Sequence, residues 1–325
     1  MNEKIALITG ITGQDGSYLA DFLLGKGGYK IIGLTRDPTA GFKENIAHLE
    51  DRVKLLFCDY TRSSLTRIIE EHGPNEIYNF AGQSYVGKSW MMIEETQRVS
   101  GVIPVEILEA IVDTESNSKF FQASSSQIFS PNATGSLTEL SSLGPYTPYG
   151  CSKLYAHSMV QSFRENYGVF ASNGIFFNHE STRRNDDFLC KKIARSVAEI
   201  KLKRSFELFL GNIDLERDLG FAPEFVEGAY LCLQHDVADD FNFCTGVKTK
   251  IKDLVEDAFK YVGLVSSDYV KSDKGLVRAK EAQTIVGSYG KAKNNLGWYP
   301  KTSILDVMKM MIDSELNKLN HGHGQ

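Results

Sequence analysis

The amino-acid sequence predicts an α/β fold in which helices cover both faces of a doubly wound parallel sheet. In the first half of the 325-residue chain, short apolar runs alternate with longer amphipathic stretches. Parallel strands are buried on both faces, so they read as continuous apolar runs. A glycine-rich turn follows the first apolar run, which is typical of the Rossmann type of this fold. After residue 178 the alternation weakens, which predicts a smaller mixed α/β lobe.

The elements can be placed along the chain from these patterns. The apolar runs predicted as strands are residues 5–9, 31–35, 53–57, 77–80, 120–124, 170–177 and 240–244. The amphipathic stretches predicted as helices are residues 18–26, 65–72, 96–112, 149–164, 190–200 and 304–318. We therefore assign residues 1–177 to a dinucleotide-binding Rossmann domain, to whose sheet a strand near residues 240–245 returns. Residues 178–325 are assigned to a lobe that closes over the substrate, with the site between the two.

Composition and charge argue against several classes of protein. The formal net charge of −5 and the isoelectric point near 5.9 disfavour nucleic acid as a partner, because phosphate binding favours a basic surface. No apolar run reaches the roughly 18 residues of a membrane span, and the first residues lack the features of a signal peptide. The five cysteines include no CxxC pair. We therefore expect reduced thiols in the cytoplasm, without disulfides or a metal site.

The glycine-rich turn predicts a dinucleotide site. Gly10, Gly13 and Gly16 lie between a predicted strand and a predicted helix. This context lets backbone N–H groups approach a pyrophosphate at the helix N-terminus. The predicted contacts of the cofactor in this turn are Gly10, Thr12, Gly13, Gln14, Asp15 and Gly16.

The end of the second strand carries the choice of cofactor. Arg36 favours NADP, because an arginine there accepts the 2′-phosphate, whereas Asp37 leaves NAD open as the alternative. Asp59 can bond the adenine or serve as a carboxylate at a helix N-terminus. Further predicted cofactor contacts are Tyr60, Ala81 and Gln83.

A tyrosine and a lysine predict the chemistry. Tyr149 and Lys153 stand four residues apart, which places both side chains on one face of a helix. The lysine ammonium is expected to lower the pKa of the phenol, because an opposite charge favours the ionised form. Such a phenol can take a proton from a sugar hydroxyl while the carbon beneath it loses hydride. Lys153 and Tyr149 also count among the predicted cofactor contacts.

These motifs together resemble the extended short-chain dehydrogenase/reductase family, and longer strings resemble its GDP-mannose 4,6-dehydratase branch. The strings are residues 8–20, 81–84, 173–181, 210–212 and 295–298. The resemblance implies that second-lobe groups hold the diphosphate and guanosine of a GDP-sugar, and that two serines line the sugar pocket. The matching positions are Asn178, Lys192, Arg217, Arg278 and Glu281 for the nucleotide, and Ser84 and Ser89 for the sugar.

The resemblance also implies a three-part reaction. Hydride leaves C4 of the sugar, a base removes the C5 proton as the C6 hydroxyl departs, and hydride returns to C6. The family base is a glutamate, but this chain carries Gln127 in its place, while Ser125 keeps the hydroxyl that bonds the C4 oxygen. An amide is no proton acceptor near neutral pH, so elimination should lose the roughly 10²- to 10⁴-fold that a base contributes. Glu139 is the nearest candidate substitute in the sequence.

A second departure concerns assembly. The family has a paired-arginine loop that reaches a neighbouring subunit, whereas Arg36 is followed here by Asp37. We expect a homodimer built on the helices at residues 96–112 and 149–164, with a homotetramer left open.

Three functions remain open on the sequence alone. The first is dehydration of a GDP-hexose by an NADP-dependent enzyme of the 4,6-dehydratase type. The second is a C4 epimerase or keto-sugar reductase, which Gln127 favours because neither reaction eliminates water. The third is a non-catalytic GDP-sugar binder, which the retained Tyr149 and Lys153 disfavour.

Overall fold

The computed structural model describes residues 3–37, 44–273, 275 and 285–321. The strands are β1 Lys4–Thr9, β2 Tyr29–Thr35, β3 Val53–Phe57, β4 Glu76–Asn79, β5 Lys119–Ser125, β6 Ser136–Leu137, β7 Ala171–Phe176, β8 Asn178–Glu180, β9 Leu208–Leu210, β10 Glu216–Arg217, β11 Leu219–Phe221, β12 Asp240–Phe243, β13 Thr249–Lys250, β14 Val270–Ser272 and β15 Val286–Gly287. The helices are α1 Gln14–Lys26, α2 Arg62–His72, α3 Ile93–Gln97, α4 Ile103–Asp113, α5 Pro148–Tyr167, α6 Leu189–Lys201, α7 Ala222–Gln234, α8 Ile251–Tyr261, α9 Gly290–Leu296 and α10 Ile304–His321.

Seven parallel strands form the central sheet, in the order β12-β7-β5-β4-β1-β2-β3. The chain runs outward from β1 in both directions, and Thr9 at the end of β1 pairs with both Leu34 and Asn79. Ligands of such sheets bind at this reversal of strand order, outside the carboxyl ends of the strands. The predicted α/β fold with a doubly wound parallel sheet is confirmed, including the return of the strand at residues 240–243.

Helix α5 shows how local sequence sets an element that the site depends on. The side chain of Thr147 accepts a hydrogen bond from the N–H of Gly150 at 3.0 Å, which caps the helix N-terminus. Pro148 follows at the first position, where its missing N–H costs nothing. Gly168 ends the helix with a φ of 67°, a left-handed conformation that glycine adopts freely.

The prediction of one continuous helix at residues 96–112 is wrong, because the helix is interrupted in the structure. Helix α3 passes into a π turn at Arg98–Val102 before α4 begins. Pro104 lies in the first turn of α4 and has no N–H to donate to residue 100, so a continuous α-helix loses a hydrogen bond there.

Two large hydrophobic clusters explain how the two halves of the chain pack. One surrounds the sheet and includes side chains from far along the chain: Phe225 of α7, Phe241 and Phe243 of β12, and Trp298. The other joins α6, α8 and α10 in the second lobe through Ile193, Val197, Leu254, Phe259, Val307 and Met311. Residues after 178 thus contribute to both clusters, and the domain boundary at residue 177 stays a prediction.

The described part of the chain contains no helix that is long and apolar enough to cross a membrane. In the same residues, no three His, Cys, Asp or Glu side chains come together as a metal-binding group.

Candidate active site

A cavity of about 1460 Å³ lies where the carboxyl ends of β1, β2, β4, β5 and β7 meet the second lobe. Its lining begins at the glycine turn after β1 and passes the ends of the other strands to the start of α6 and the segment at residues 210–219. A pocket for one ligand typically measures roughly 300–1,000 Å³. This cavity therefore has room for a dinucleotide and a second ligand.

The glycine turn fits a dinucleotide. Gly10 has a φ of +65°, and a Cβ there would lie 2.8 Å from the backbone N of Ala81. A Cβ on Gly16 would lie 2.4 Å from the carbonyl oxygen of Gly10. The turn is therefore drawn tightly over the first residues of α1, with Gly13 as the N-cap. Every predicted residue of this turn lines the cavity, namely Gly10, Thr12, Gly13, Gln14, Asp15 and Gly16.

The two residues predicted to decide between NADP and NAD lie side by side at the end of β2. Arg36 and Asp37 both line the cavity, and a nitrogen of the Arg36 guanidinium is 3.5 Å from a carboxylate oxygen of Glu95. A cation and an anion thus face the same part of the cavity, so the geometry leaves NADP and NAD both open.

The other predicted cofactor contacts divide into two groups. Tyr60 and Ala81 line the cavity. Asp59 lies outside this lining and accepts hydrogen bonds from the N–H and hydroxyl of Thr61, the N-cap residue of α2. Gln83 is also outside the lining, and its amide nitrogen donates to the carbonyl oxygen of Tyr85 at 3.0 Å. Asp59 therefore takes the alternative role of a carboxylate at a helix N-terminus.

The predicted catalytic residues converge on one side of the cavity. Ser125 at the end of β5 lines the cavity together with Tyr149, and the Lys153 ammonium donates to the carbonyl oxygen of Ala123 at 2.7 Å. The Lys153 nitrogen lies 5.9 Å from the centre of the Tyr149 ring. A Cβ on Gly150 would lie 2.5 Å from the carbonyl oxygen of Gln127, so this glycine allows α5 to approach the end of β5.

The pKa of Tyr149 is raised and not lowered, contrary to the prediction from the sequence. Burial raises the pKa of Tyr149, and the hydrogen bond with Ser125 and the charge of Arg184 lower it only in part. Burial also lowers the pKa of Lys153 to about 8, against the opposing effect of Asp15. Both shifts have the same cause, since removing water disfavours the charged form of either group. Burial is therefore the largest influence on the pKa of Tyr149, and it acts against the lowering that the sequence predicts.

Gln127 stands where the resemblance expects the proton acceptor. It is half-buried and lines the cavity two residues after Ser125, and its backbone N–H donates to the Ser125 hydroxyl at 3.2 Å. Glu139, the candidate substitute, is not part of the cavity lining, and its carboxylate accepts a hydrogen bond from the N–H of Asn242 at 2.7 Å. Glu139 is therefore wrong as a substitute base.

Four of the seven predicted substrate residues line the cavity. Ser84, Asn178, Lys192 and Arg217 line the cavity, and the Lys192 ammonium donates to the carbonyl oxygen of Phe209 at 2.7 Å. Ser89 is buried outside the lining, where its hydroxyl donates to the carbonyl oxygen of Val86. Arg278 and Glu281 lie outside the described residues.

His179, Glu180 and Arg184 line the cavity but were given no role from the sequence, although His179 and Glu180 lie in the string at residues 173–181. The His179 ring lies between Asp15, at 3.0 Å, and the carbonyl oxygen of Phe177, at 2.7 Å. Burial raises the pKa of Glu180, and the charges of Arg184 and His179 lower it in part. A signal was present in the sequence, because polar residues directly follow a buried strand at the edge where ligands bind.

A clasp joins the two lobes beside the cavity, and we define it as Tyr85 and Lys88 with Asp187 and Phe188. The Lys88 ammonium lies 2.5 Å from a carboxylate oxygen of Asp187. The rings of Tyr85 and Phe188 meet edge to face with centroids 5.6 Å apart. The loop after β4 is thereby attached to the loop before α6.

A dinucleotide turn facing a Ser-Tyr-Lys group across one cavity defines the class of extended short-chain dehydrogenases/reductases. Solved structures share the fold at TM-scores of 0.86 and 0.79. One is the dTDP-glucose 4,6-dehydratase DesIV from Streptomyces venezuelae with NAD bound, at 20% identity and covering 98% of both chains. The other is RMD from Pseudomonas aeruginosa with NADPH, at 20% identity, covering 97% of this chain and 99% of that one.

Sequence comparison identifies the family within this class. The sequence model of the GDP-mannose 4,6 dehydratase family matches residues 7–311. GDP-mannose 4,6 dehydratase 2 of Arabidopsis thaliana is 40% identical, covering 96% of this chain and 87% of that protein. The Homo sapiens enzyme is 38% identical, with coverages of 98% and 93%, and a Vibrio cholerae enzyme is 35% identical, with coverages of 98% and 95%. The chain belongs to the GDP-mannose 4,6-dehydratase family, which confirms the resemblance.

Proposed function

We propose that this protein is an enzyme that oxidises a GDP-linked hexose at C4 and dehydrates it to the 4-keto-6-deoxy sugar, with GDP-mannose as the substrate to test first. The observation that carries the proposal is the convergence of Ser125, Tyr149 and Lys153 on the cavity that Asn178 and Lys192 also line. Relatives named as GDP-mannose 4,6-dehydratases, with coverage of nearly the whole chain, support it.

The hydride half of the reaction has a complete set of residues. Tyr149 accepts the proton of the C4 hydroxyl, and Ser125, which lines the same cavity, donates to the C4 oxygen. Lys153 supplies positive charge beside Tyr149, which favours the phenolate form that accepts this proton. A bound nicotinamide cofactor supplies the hydride acceptor at C4 and the hydride donor at C6.

The elimination half is impaired. Gln127 can accept a hydrogen bond from a substrate hydroxyl, but its amide cannot hold the C5 proton. We therefore expect C5 deprotonation to be the slowest chemical step. The ketone at C4 still acidifies C5, so elimination proceeds slowly and is not abolished.

We propose NADP as the cofactor on the strength of Arg36, with NAD as the alternative because of Asp37. Denaturing the purified protein and identifying the released nucleotides tests this choice. We further propose a homodimer built on α4 and α5, with a tetramer as the alternative. A cytoplasmic location fits the free thiols, of which all but Cys151 are buried.

A second candidate function is a C4 epimerase or keto-sugar reductase, which Gln127 specifically favours. Both reactions use Ser125, Tyr149 and Lys153 and need no proton acceptor at C5. A non-catalytic binder has no use for a tyrosine and a lysine buried together against the cavity, so the geometry disfavours it.

Incubation with GDP-mannose and cofactor in deuterated water separates these functions. Dehydration gives a 4-keto-6-deoxy product that carries deuterium at C5. An epimerase gives a product altered only at C4. Unchanged C5 and C6 after prolonged incubation would contradict the proposed function.

A further inference from the structure

The loop before α5 carries a phenol to the edge of the catalytic group. Phe129 and Leu143 form an antiparallel bridge, and the N–H of Gly144 donates to the carbonyl oxygen of Ile128 at 3.0 Å. The segment that leads into α5 therefore runs back alongside the segment that follows β5. Tyr146 lies in this loop, directly before the N-cap residue of α5.

One glycine shows how close the two segments come at Gln127. A Cβ on Gly150 would lie 2.5 Å from the carbonyl oxygen of Gln127 and 2.8 Å from the Cβ of Pro145. Gln127 and Pro145 are therefore direct neighbours, and Tyr146 is the next residue in the chain. Tyr146, Gln127 and Tyr149 all line the cavity. Tyr146 thus lies in the part of the cavity where the resemblance expects the acceptor of the C5 proton.

The Tyr146 side chain is available to a ligand. It is half-buried, and no hydrogen bond joins its hydroxyl to another described residue. Three carboxylates of the cavity already have ion-pair partners: Asp15 with His179, Glu180 with Arg184, and Asp187 with Lys88. Beside Gln127, the hydroxyl of Tyr146 can therefore still exchange a proton with a substrate.

We propose that Tyr146 is a catalytic residue that shuttles the proton of the elimination where the family glutamate is missing, an inference that rests on the proposed dehydration. A phenol is neutral near pH 7, and its oxygen both donates and accepts hydrogen bonds. The Tyr146 phenol gives its proton to the C6 hydroxyl, which departs as water, and the phenolate so formed takes the C5 proton. The C5–H and C6–O bonds break, a C5–C6 double bond forms, and the phenol is regenerated.

The same phenol completes the reaction at C5. As hydride returns to C6, the Tyr146 phenol protonates C5, and the phenolate recovers a proton from water. Deuterium from the solvent therefore enters C5 by this route. The phenol must give up a proton before it can take one, so the route is slower than deprotonation by a carboxylate at residue 127.

The test compares Tyr146→Phe with the wild-type protein on GDP-mannose in deuterated water, with NADP and with NAD in parallel. General acid–base catalysis typically contributes about 10²- to 10⁴-fold, so formation of the 4-keto-6-deoxy product should fall by about that factor. Oxidation at C4, followed by the absorbance of the reduced cofactor in a single turnover, should keep the wild-type rate. Reduced cofactor should therefore accumulate in the variant, because elimination stalls after oxidation.

Tyr299→Phe is the matched control. Tyr299 is 47% exposed and lies outside the cavity lining, so the loss of its hydroxyl should change neither rate. An unchanged rate of dehydration in Tyr146→Phe would overturn the inference. Equal losses of C4 oxidation and dehydration in that variant would indicate a structural role and overturn it as well.

The Gln127→Glu background provides a second measurement. There a carboxylate takes the C5 proton directly, so the addition of Tyr146→Phe should cost less than it costs the wild type. Losses of the same size in both backgrounds would overturn the inference that Tyr146 acts for the missing glutamate. A wild-type protein that neither reduces cofactor nor dehydrates GDP-mannose would contradict the proposed function itself, whereas the outcomes above contradict the inference alone.

Discussion

Residue 127 separates the two halves of the proposed reaction. Ser125, Tyr149 and Lys153 are placed for exchange of hydride at C4, but the side chain beside them is an amide. The structure offers no replacement at Glu139, which is bonded to the backbone of β12. The rate of elimination should therefore depend on the chemical identity of a single side chain.

We predict that Gln127→Glu raises the rate of dehydration by about 10²- to 10⁴-fold, the usual contribution of a general base. The measurements are incorporation of solvent deuterium at C5 and formation of the 4-keto-6-deoxy product. Glu139→Gln is the matched control and should leave dehydration unchanged, because Glu139 lies outside the cavity lining. A Gln127→Glu protein that oxidises C4 but dehydrates no faster would contradict the role given to this position.

Lys153 is expected to cost stability in exchange for activity. Its folded pKa of about 8 lies below the ordinary value of 10.5. Folding therefore opposes the charged form, and the penalty is fully present below pH 8 and fades as the pH rises toward 10.5. The pKa difference corresponds to about 3 kcal/mol, from which the lost hydrogen bond to Ala123 subtracts about 1 kcal/mol.

Lys153→Met should therefore raise the Tm of the ligand-free protein by a few degrees at pH 7, while it abolishes hydride exchange. The gain should shrink between pH 8 and pH 10 in thermal scans. Lys309→Met, at an exposed position, serves as the control without such a gain. Destabilisation of the same size at every pH would show that burial of the ammonium is not the governing effect.

The sequence predicts well those helices and strands whose formation depends on residues close together in the chain. The strands of the sheet are continuous apolar runs, and α5 carries Thr147 and Gly168 as its own caps. Periodicity missed the interruption before α4, although Pro104 signals it. Asp59, Gln83 and Ser89 are hydrogen-bonded to groups only two or three residues away. For Asp59 the sequence already offered this local role, as a carboxylate at a helix N-terminus.

The cavity residues of the second lobe illustrate the limit of such predictions. The resemblance pointed to Asn178, whereas His179, Glu180 and Arg184 were given no role from the sequence. The position of His179 depends on its contact with Asp15 of α1, 164 residues earlier in the chain. Hydrogen bonds of this kind are set by the packing of β8 against α1, so only the folded structure shows them.

The clasp should control how tightly the loops close over the sugar nucleotide. Lys88 and Asp187 are about half exposed, at 42% and 50%, so their pairing is worth no more than about 1 kcal/mol. We predict that Lys88→Asp or Asp187→Lys raises the KM for the GDP-sugar by about two- to fivefold. The exchanged pair, Lys88→Asp with Asp187→Lys, should restore it.

Steady-state kinetics at low and high salt provide the measurement, because salt screens an exposed pair. The pair of Lys309 and Asp306 on α10, at 2.9 Å and similarly exposed, is the matched control, and its reversal should leave the KM unchanged. An exchanged pair that remains as impaired as the single variants would show that the two charges act independently.

For the molecule as a whole, residues from both halves of the chain pack in the hydrophobic cluster around the central sheet. Phe176 of β7 meets Phe225 and Phe243 edge to face, with centroids 5.4 and 5.5 Å apart. Trp298 covers this group, and its indole N–H donates to the carbonyl oxygen of Glu224 at 2.7 Å. The sheet that carries the glycine turn and Ser125 therefore depends on residues beyond the predicted boundary at 177.

We predict that Trp298→Ala destabilises the protein by about 3–5 kcal/mol, the usual cost of truncating a buried aromatic side chain. Because Trp298 packs against the sheet core, the loss should reduce cofactor binding and secondary structure in one cooperative transition. The chain holds two tryptophans, and the other is a matched control: Trp90 is 60% exposed, whereas Trp298 is 2% exposed. Trp90→Ala should change the unfolding free energy by less than about 0.5 kcal/mol. Urea unfolding followed by circular dichroism measures both, and a loss of about 1 kcal/mol or less in Trp298→Ala would mean that the sheet does not rely on the C-terminal segment.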